Sequence, residues 1–538
     1  MSVTNLDFIK VGGIYPPANN VGLLAKYNRY DELFEGRIGD AYMRFVNDHQ
    51  KDGPIQDAMK TIFSNPKIMN YPRAITKKIV DLTLSRQPSL QGSTNEKEND
   101  LIDISRSTKC WKTVRRGFVD ISRYGNGYIR EYNTVPRYDD GQGGLTKGDA
   151  SCNAINPKMM TIVVNPLDKE DITNLVIGWV DRVTTTTTAG NGVVVENEEY
   201  YLTLEIHEKG QFEYKRFKCA APIFNMGQVK QYVLQEEVTP ENLKGVKHKT
   251  GLDGFAIRVL SGFTTSEEPI YGLSDYDMFD SLMLELCQRV SQLSEVFEKH
   301  GNPSMQGSSN LISTDENGNP LFYTGDFYPL GPNDQRLEYL TWDAKSKEIL
   351  DYCNALLQQI FILSEMGDGS IMGYSNGKDG FAESGKGLRL KMASPLMKAQ
   401  SLVFDNNDEI IQMLVDFAKM KGIEMKPEDI EIKWKDGLPV DWVEECNMFN
   451  SRVQAGTESV VYGLARRFGM SPDQAEDEWK QIIKEQKQLS ESKSFAKMTM
   501  NNNPNNKQND KLNGSNGQAD DRETTEKKQD ANNSGRIN

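Results

Sequence analysis

The chain has 538 residues, 37% of them apolar and 26% charged, and its 63 Lys and Arg stand against 77 Asp and Glu for a formal net charge of −14. That is enough chain for roughly two to four domains, each with its own core. The acidic balance excludes a protein that coats nucleic acid tightly, because such binding is driven by cationic side chains neutralising phosphates. No uncharged apolar run reaches the roughly 18 residues needed to span a bilayer, and residues 1–13 lack the basic head and apolar stretch of a signal peptide, so membrane and secreted classes drop out. Six cysteines stand more than forty residues apart without a C-x-x-C pair, which argues against structural zinc and a disulfide framework.

In chain order, helical spacing predicts helices over 27–34, 57–63 and 74–84, with Ile75, Ile79 and Leu82 on one face and Pro88 beyond the last. An aromatic and β-branched run over 118–132 is interrupted by the turn triplet Gly125-Asn126-Gly127. Short strands are expected over 161–164, 175–183, 193–195, 200–206 and 212–217, the last two flanking a hairpin turn at Glu208-Lys209-Gly210, while Thr184 to Thr188 read as a strand end or exposed loop. Ser274 is the expected N-cap of a long helix that ends at Gly301-Asn302-Pro303 and carries the stripe Phe279, Leu282, Leu286, Val290, Leu293, Phe297. A Gly/Pro/Asn-punctuated insert follows over 303–343, with strand candidates at 310–313 and 321–323. After it comes a second amphipathic helix over 345–364, with Ile349, Tyr352, Leu356, Ile360 and Leu363 on one face.

Beyond a glycine-rich loop, 367–387, a helix to Lys421 should be kinked or broken by Pro395, and a strand is expected over 429–434. Two helices close the folded part. The second opens on a capping box at Ser471-Pro472-Asp473-Gln474 and should bury Ala475, Trp479, Ile482 and Ile483. Eleven of the 38 residues in 501–538 are Asn and only four are apolar, a composition that cannot offset its ordering entropy, so this tail is expected to be disordered. Helix-rich and strand-rich stretches are segregated, which is an α+β pattern.

Charge is uneven. Residues 274–343 hold twelve carboxylates against Arg289, Lys299 and Arg336, whereas Lys386, Arg389, Lys391 and Lys398 follow with no carboxylate between them. These could be solvated helix faces; in a closed ring the same face would repeat around a channel and its charges would add into one field. Residues 380–387 match a phosphate-binding loop, G-x-x-x-x-G-K-[ST], except that Gly387 stands where the magnesium-holding hydroxyl belongs, and no buried strand precedes it. His49, His207, His248 and His300 show no ligand spacing and read as surface or capping residues. Paired carboxylates such as Glu267-Glu268 are adjacent and would diverge rather than converge on a substrate. Nothing positive supports a catalytic site, a cofactor or a metal.

Certain strings stand in a fixed order: Tyr27-Asn28-Arg29-Tyr30 with Phe34-Glu35-Gly36, the helix 75–86, Tyr124-Gly125-Asn126-Gly127-Tyr128, and Tyr271-Gly272-Leu273-Ser274-Asp275 leading into the helix that ends at Asn302-Pro303. Ser384-Gly385-Lys386-Gly387-Leu388 and Trp434-Lys435-Asp436-Gly437-Leu438-Pro439 come next. Over 27–489 this order resembles the portal protein of tailed bacteriophages, the ring at the capsid vertex through which DNA enters and leaves. The resemblance implies an N-terminal arm (1–26), a mixed α/β wing (27–270), stem helices (271–302 and 344–364) around a small α/β clip (303–343), and a tunnel loop (365–387). A kinked helix and strand (388–440) would return to the wing, followed by a helical crown (441–489); the Asn-rich tail (490–538) has no family counterpart.

It also implies a non-enzymatic, ring-forming homo-oligomer, dodecameric in the family, without cofactors. The expected partners are double-stranded DNA passing without sequence specificity, the large terminase subunit, the head-completion adaptor and the major capsid or scaffolding protein. Lys378, Lys386, Arg389 and Lys391 would touch DNA phosphates without base readout, and Asp280, Glu285, Glu295, Glu298, Asp315, Glu316, Asp334 and Glu338 would line an acidic channel. Two alternatives stay open: a nucleotide-dependent or nuclease-like DNA-processing enzyme, and a capsid-associated adaptor without a channel.

Overall fold

The computed structural model describes residues 3–37, 69–133, 150–188, 194–301, 305–306, 313–314, 320–321, 338–339, 346–367, 392–435, 437, 442–468 and 470–501. The chain divides into two compact units, Met1–Asp441 and Trp442–Asn538, and its architecture is α+β.

The first unit starts with a two-residue strand, β1 (Ile14–Tyr15), and helix α1 (Ala18–Glu35), which Gly36 ends in the left-handed region. Helix α2 (Tyr71–Leu84) begins where the Asn70 side chain accepts the Arg73 N–H, and strand β2 (Ser89–Gly92) follows. Thr94 caps α3 (Asn95–Thr108) in the same way. Helix α4 (Cys110–Tyr124) buries Trp111, Val114, Phe118 and Ile121, spaced three or four apart. The aromatic run seen in the sequence is therefore helical up to Tyr124 and becomes strand only after Gly125. The expected helix 57–63 lies outside the described residues.

Strands follow as β3 (Asn126–Asn133), β4 (Ala150–Ile155), β5 (Met160–Asn165), β6 (Asp168–Thr188), β7 (Val194–Glu208), β8 (Gln211–Cys219), β9 (Ile223–Asn225), β10 (Val229–Glu237), β11 (Lys247–Lys249) and β12 (Ile257–Ser261). Eight strands form one antiparallel sheet in the order β1-β10-β8-β7-β6-β5, with β11 on β8 and β9 on β10; β12-β3-β4 is a second sheet. The β7–β8 hairpin pairs Tyr200 with Cys219 through Glu208 with Gln211 and turns where expected. One face of the large sheet packs Val176, Leu202, Leu204 and Phe217 against Phe8 and Tyr15 of the N-terminal segment. Residues 184–188 prove to be strand, the end of β6.

Beyond the sheets lie α5 (Asp280–Gly301) and four two-residue strands: β13 (Met305–Gln306), β14 (Ser313–Thr314), β15 (Pro320–Leu321) and β16 (Glu338–Tyr339). Helices α6 (Ser346–Leu363) and α7 (Ala393–Met420) follow, and β17 (Ile430–Lys433) pairs with β2. Two expectations about these helices need correction. Ser274 caps a short 3-10 turn, Asp275–Met278, and α5 starts only after Phe279. Pro395 neither kinks nor breaks α7. It sits in the first turn, where no intrahelical acceptor exists for the N–H that proline lacks.

Among the described residues the second unit has three helices where two were expected: α8 (Trp442–Gln454), α9 (Val460–Phe468) and α10 (Pro472–Asn501). The capping box at Ser471 is present, with Gln474 N–H on Ser471 Oγ at 3.3 Å and Ser471 N–H on Gln474 Oε1 at 3.2 Å. Ala475 is buried, but Trp479 and Ile482 are half-buried and Ile483 is exposed, so the expected buried face is shallow in the single chain. Helix α10 runs to Asn501, past the boundary at 490 where the tail was expected to begin; 502–538 lie outside the described residues.

Candidate functional site

The paired helices α5 and α6 share a common root in the fold. Helix α4 ends on Gly125, whose φ is 88°. Next to it, Asn126 accepts the Gly272 N–H at 3.0 Å and donates to the Ile270 carbonyl at 2.9 Å, locking the approach to α5 against the end of α4. The Ser274 hydroxyl donates to the Arg123 carbonyl at 2.7 Å. Behind it the Tyr276 hydroxyl, fully buried, meets Thr76 Oγ1 at 2.7 Å.

Acidic residues at this root are paired. Asp277 accepts from the Tyr30 hydroxyl, and Asp280 meets Arg29 at 2.8 Å. Asp275 accepts from Ser122 Oγ and from Lys398 Nζ, the latter at 2.8 Å. Lys398 also reaches Glu365 Oε1 at 3.3 Å and the Ser364 carbonyl at 3.4 Å, just beyond the end of α6. One lysine on α7 therefore holds both the entry to α5 and the exit from α6. Burial alone would favour its neutral amine, but Asp275 and Glu365 outweigh that and hold it above the ordinary lysine range. Asp31, on α1, is shared by Arg123 at 2.6 Å, Lys158 and the Tyr124 hydroxyl.

Above the root the two helices pack on each other, and Met283 and Leu286 of α5 belong to the same buried cluster as Leu356, Ile360 and Phe361 of α6. Arg289 bonds Glu285 at 2.8 Å and lies 6.0 Å from the centre of the Tyr352 ring across the pair. Of the expected channel-lining carboxylates, Asp280 is largely buried in its ion pair and Glu285 is held by Arg289, so neither is a free surface charge in the single chain. Glu295 and Glu298 lie on α5, and Glu338 lies in β16 opposite Gln306. Asp315, Glu316 and Asp334 lie outside the described residues, as do Lys378, Lys386, Arg389, Lys391 and the near phosphate loop.

Two histidines expected at the surface are buried instead. His207 and His248 sandwich Phe212 at ring separations of 5.2 Å across β7, β8 and β11. Beside them Glu205 binds Arg130 at 2.5 Å and the Tyr214 hydroxyl at 2.6 Å. Burial would raise this carboxyl, but His207, Arg130 and Tyr214 together bring it down to about 2. Alternation along a strand could have flagged these positions, since His207 and Glu205 share a face. Among the described residues no three His, Cys, Asp or Glu side chains are grouped to hold a metal ion.

Asp120, on α4, shows how burial acts near the root. It lines a cavity of about 280 Å³ with Arg116, Arg123 and Asn156, and burial raises its carboxyl to about 7 against the opposing charge of Arg123. A folded-state value above the unfolded one gives stability that is present below about pH 4 and lost as pH rises towards 7. Asp120→Asn should therefore stabilise the protein by about 2 kcal/mol near pH 8 and change little near pH 4. Thermal melts at the two pH values check this, and a larger gain at the acidic one would contradict it.

No family model matches the chain, and no curated protein matches it. Among solved structures it is similar to a chain of the neck of a native GTA particle computed with C12 symmetry. The TM-score is 0.39 and the identity 13%, over 72% of this chain and 86% of that one.

Proposed function

We propose that this chain is the subunit of a phage portal, a homo-oligomeric ring that conducts double-stranded DNA at the capsid vertex and is not itself an enzyme. The observation that carries the reading is the unfinished surface of the paired helices. Phe297 on α5 is 60% exposed, and on α6 Leu350 is 50%, Tyr352 46% and Ile362 58%, while Met283, Leu286, Leu356, Ile360 and Phe361 of the same two helices are buried. Large apolar groups left open on two helices that bracket an insert call for identical neighbours, and closed symmetry supplies them. The ordered sequence strings that resemble portal proteins support the same reading.

In this reading α5 and α6 form the stem, 303–343 the clip that docks terminase and later the adaptor, and Lys378, Lys386, Arg389 and Lys391 touch passing phosphates. The wing meets capsid or scaffolding protein. Negative-stain microscopy of purified protein is expected to show rings with a central hole. Deleting residues 367–387 should leave the rings intact while DNA packaging falls severely. A homogeneous monomer at high concentration sinks the ring, and rings that package normally after the deletion sink the loop assignment.

A further inference from the structure

The face of the large sheet turned away from Phe8 and Tyr15 floors a cavity of about 660 Å³. Strand alternation brings two rungs of side chains to it across β6, β7 and β8: Ile177, Glu205 and Tyr214 in one, Trp179, Thr203 and Arg216 in the next. β4 adds Asn153 and Ile155 to the lining, and the segment after β10 adds Thr239 and Leu243. Small-molecule sites of roughly 300–1,000 Å³ combine such apolar lining with a few convergent polar groups.

The two rungs differ in what they still need. Glu205 is met by Arg130 at 2.5 Å and by the Tyr214 hydroxyl at 2.6 Å, so the first is complete. The second is not. Arg216 meets Asp181 only at 3.9 Å, beyond hydrogen-bond reach, and its Nε is shut from water without an acceptor. Its guanidinium lies 5.1 Å from the centre of the Tyr201 ring, a contact that fixes its place without supplying an oxygen. Beside it, the Trp179 indole N–H and the Thr203 hydroxyl have no hydrogen-bond partner among the described residues. Folded proteins rarely leave a buried donor unmet without a reason. The backbone here is also pinned, because the Arg216 N–H bonds Thr239 Oγ1 at 3.0 Å and the Val238 N–H bonds the Arg216 carbonyl at 2.8 Å. The rung is therefore in place before anything arrives, which lowers the ordering cost of binding.

We infer that this cavity binds a small aromatic anion, with its carboxylate or phosphate oxygens on Arg216 and its ring against Trp179. At the Arg216 end donors stand without acceptors, so the ligand has to bring oxygens, and a guanidinium fork suits those of a carboxylate or phosphate. At the other end Glu205 repels a second negative group, which selects a ligand charged at one end only. Ile177, Trp179 and Leu243 give a flat apolar body a surface to lie on. The site belongs to the sheet and uses neither α5 nor α6, so its fate and that of the ring reading are decided separately.

Calorimetric titration of the full chain with 1-naphthyl phosphate, 1-naphthol and inorganic phosphate tests this. The naphthyl phosphate should bind about 10-fold or more tightly than either of the others, the effect of hydrogen bonds to a charged group. It should also slow amide exchange over 203–205, 214–216 and 238–243. Arg216→Met keeps the aliphatic stem and should weaken naphthyl phosphate by about 10-fold while leaving 1-naphthol unchanged. Trp179→Phe keeps a ring but loses the N–H, and should weaken it by a smaller factor. Exchange protection of β7 and β8 without ligand shows that a variant is folded; where a variant loses it, the footprint on the parent decides alone. Equal affinity for 1-naphthol and 1-naphthyl phosphate, a footprint elsewhere on the chain, or undiminished binding by folded Arg216→Met overturns the inference.

Discussion

Arg258→Met should destabilise the first unit by about 3–5 kcal/mol, a fall in melting midpoint of roughly 3–5 °C for a unit of this size. Arg258, on β12, is buried and reaches Glu131 of β3 at 2.7 Å, Asp416 of α7 in a close contact, and Glu409 of α7 at 3.6 Å. One guanidinium thus binds the small sheet to the long helix. It cannot fully balance two buried carboxylates, and burial together with the charge of Asp416 holds the Glu131 carboxyl well above its ordinary range despite Arg258. Removing the cation leaves the two acids facing each other in a low-dielectric site, which is far more costly than never having had charges there. The cost should largely vanish when Arg258→Met is combined with Glu131→Leu and Asp416→Leu. Circular dichroism melts decide it: a single-variant loss under about 1 kcal/mol would be that of an exposed pair and would contradict the burial argument.

Gly125→Ala should cost more than about 3 kcal/mol, a loss reserved for a few named mechanisms, of which backbone strain is one. A Cβ at this residue would lie 1.9 Å from the Gly272 carbonyl oxygen and 2.5 Å from its carbon, both backbone atoms with no rotamer to yield. Its φ of 88° adds the left-handed penalty for any other residue. The Gly125 carbonyl also accepts the Gly262 N–H at 2.8 Å, so the strain spreads to two segments that lead into α5. Amide exchange over 274–286 should accelerate along with the loss in melting midpoint. Gly22→Ala is the control: it lies inside α1 with nothing within 4 Å of a new Cβ, and it should gain about 0.5–1 kcal/mol from helix propensity. If both variants behave alike, the close approach of Gly125 and Gly272 is not what fixes the root.

Elements with a complete local signal were legible in the sequence. The second amphipathic helix, expected over 345–364, occupies Ser346–Leu363, because its apolar spacing leaves no competing period. The hairpin on Gly210 and the capping box at Ser471 followed from turn and cap chemistry that acts within four residues. Where local signals compete, type alone does not decide. Phe118, Val119 and Ile121 favour strands by type, but their neighbours Trp111 and Val114 complete a helical stripe, and burial of that stripe decides α4. Pro395 was read by its effect in a helix interior, whereas its position in the first turn makes it harmless.

What no local reading could reach were contacts between distant residues. Arg258, Glu131 and Asp416 come from three separate segments, and nothing beside any of them announces the others. The pairing of Asp280 with Arg29 is of the same kind. It turns a residue expected to face a channel into part of the foundation. The basic run that ends in Lys398 is visible as charge, but the role of its last member as a tether to Asp275 and Glu365 is not.

Because Lys398 grips the residues before α5 and after α6 together, the two ends of the span from Asp275 to Ser364 are held at one fastened doorway. Chain added far from that doorway meets only the slow logarithmic cost of a longer loop, about 0.6 kcal/mol for each doubling. An insert of another length between α5 and α6 would therefore leave the contacts of this doorway as they are, much as a tool head is swapped on an unchanged handle.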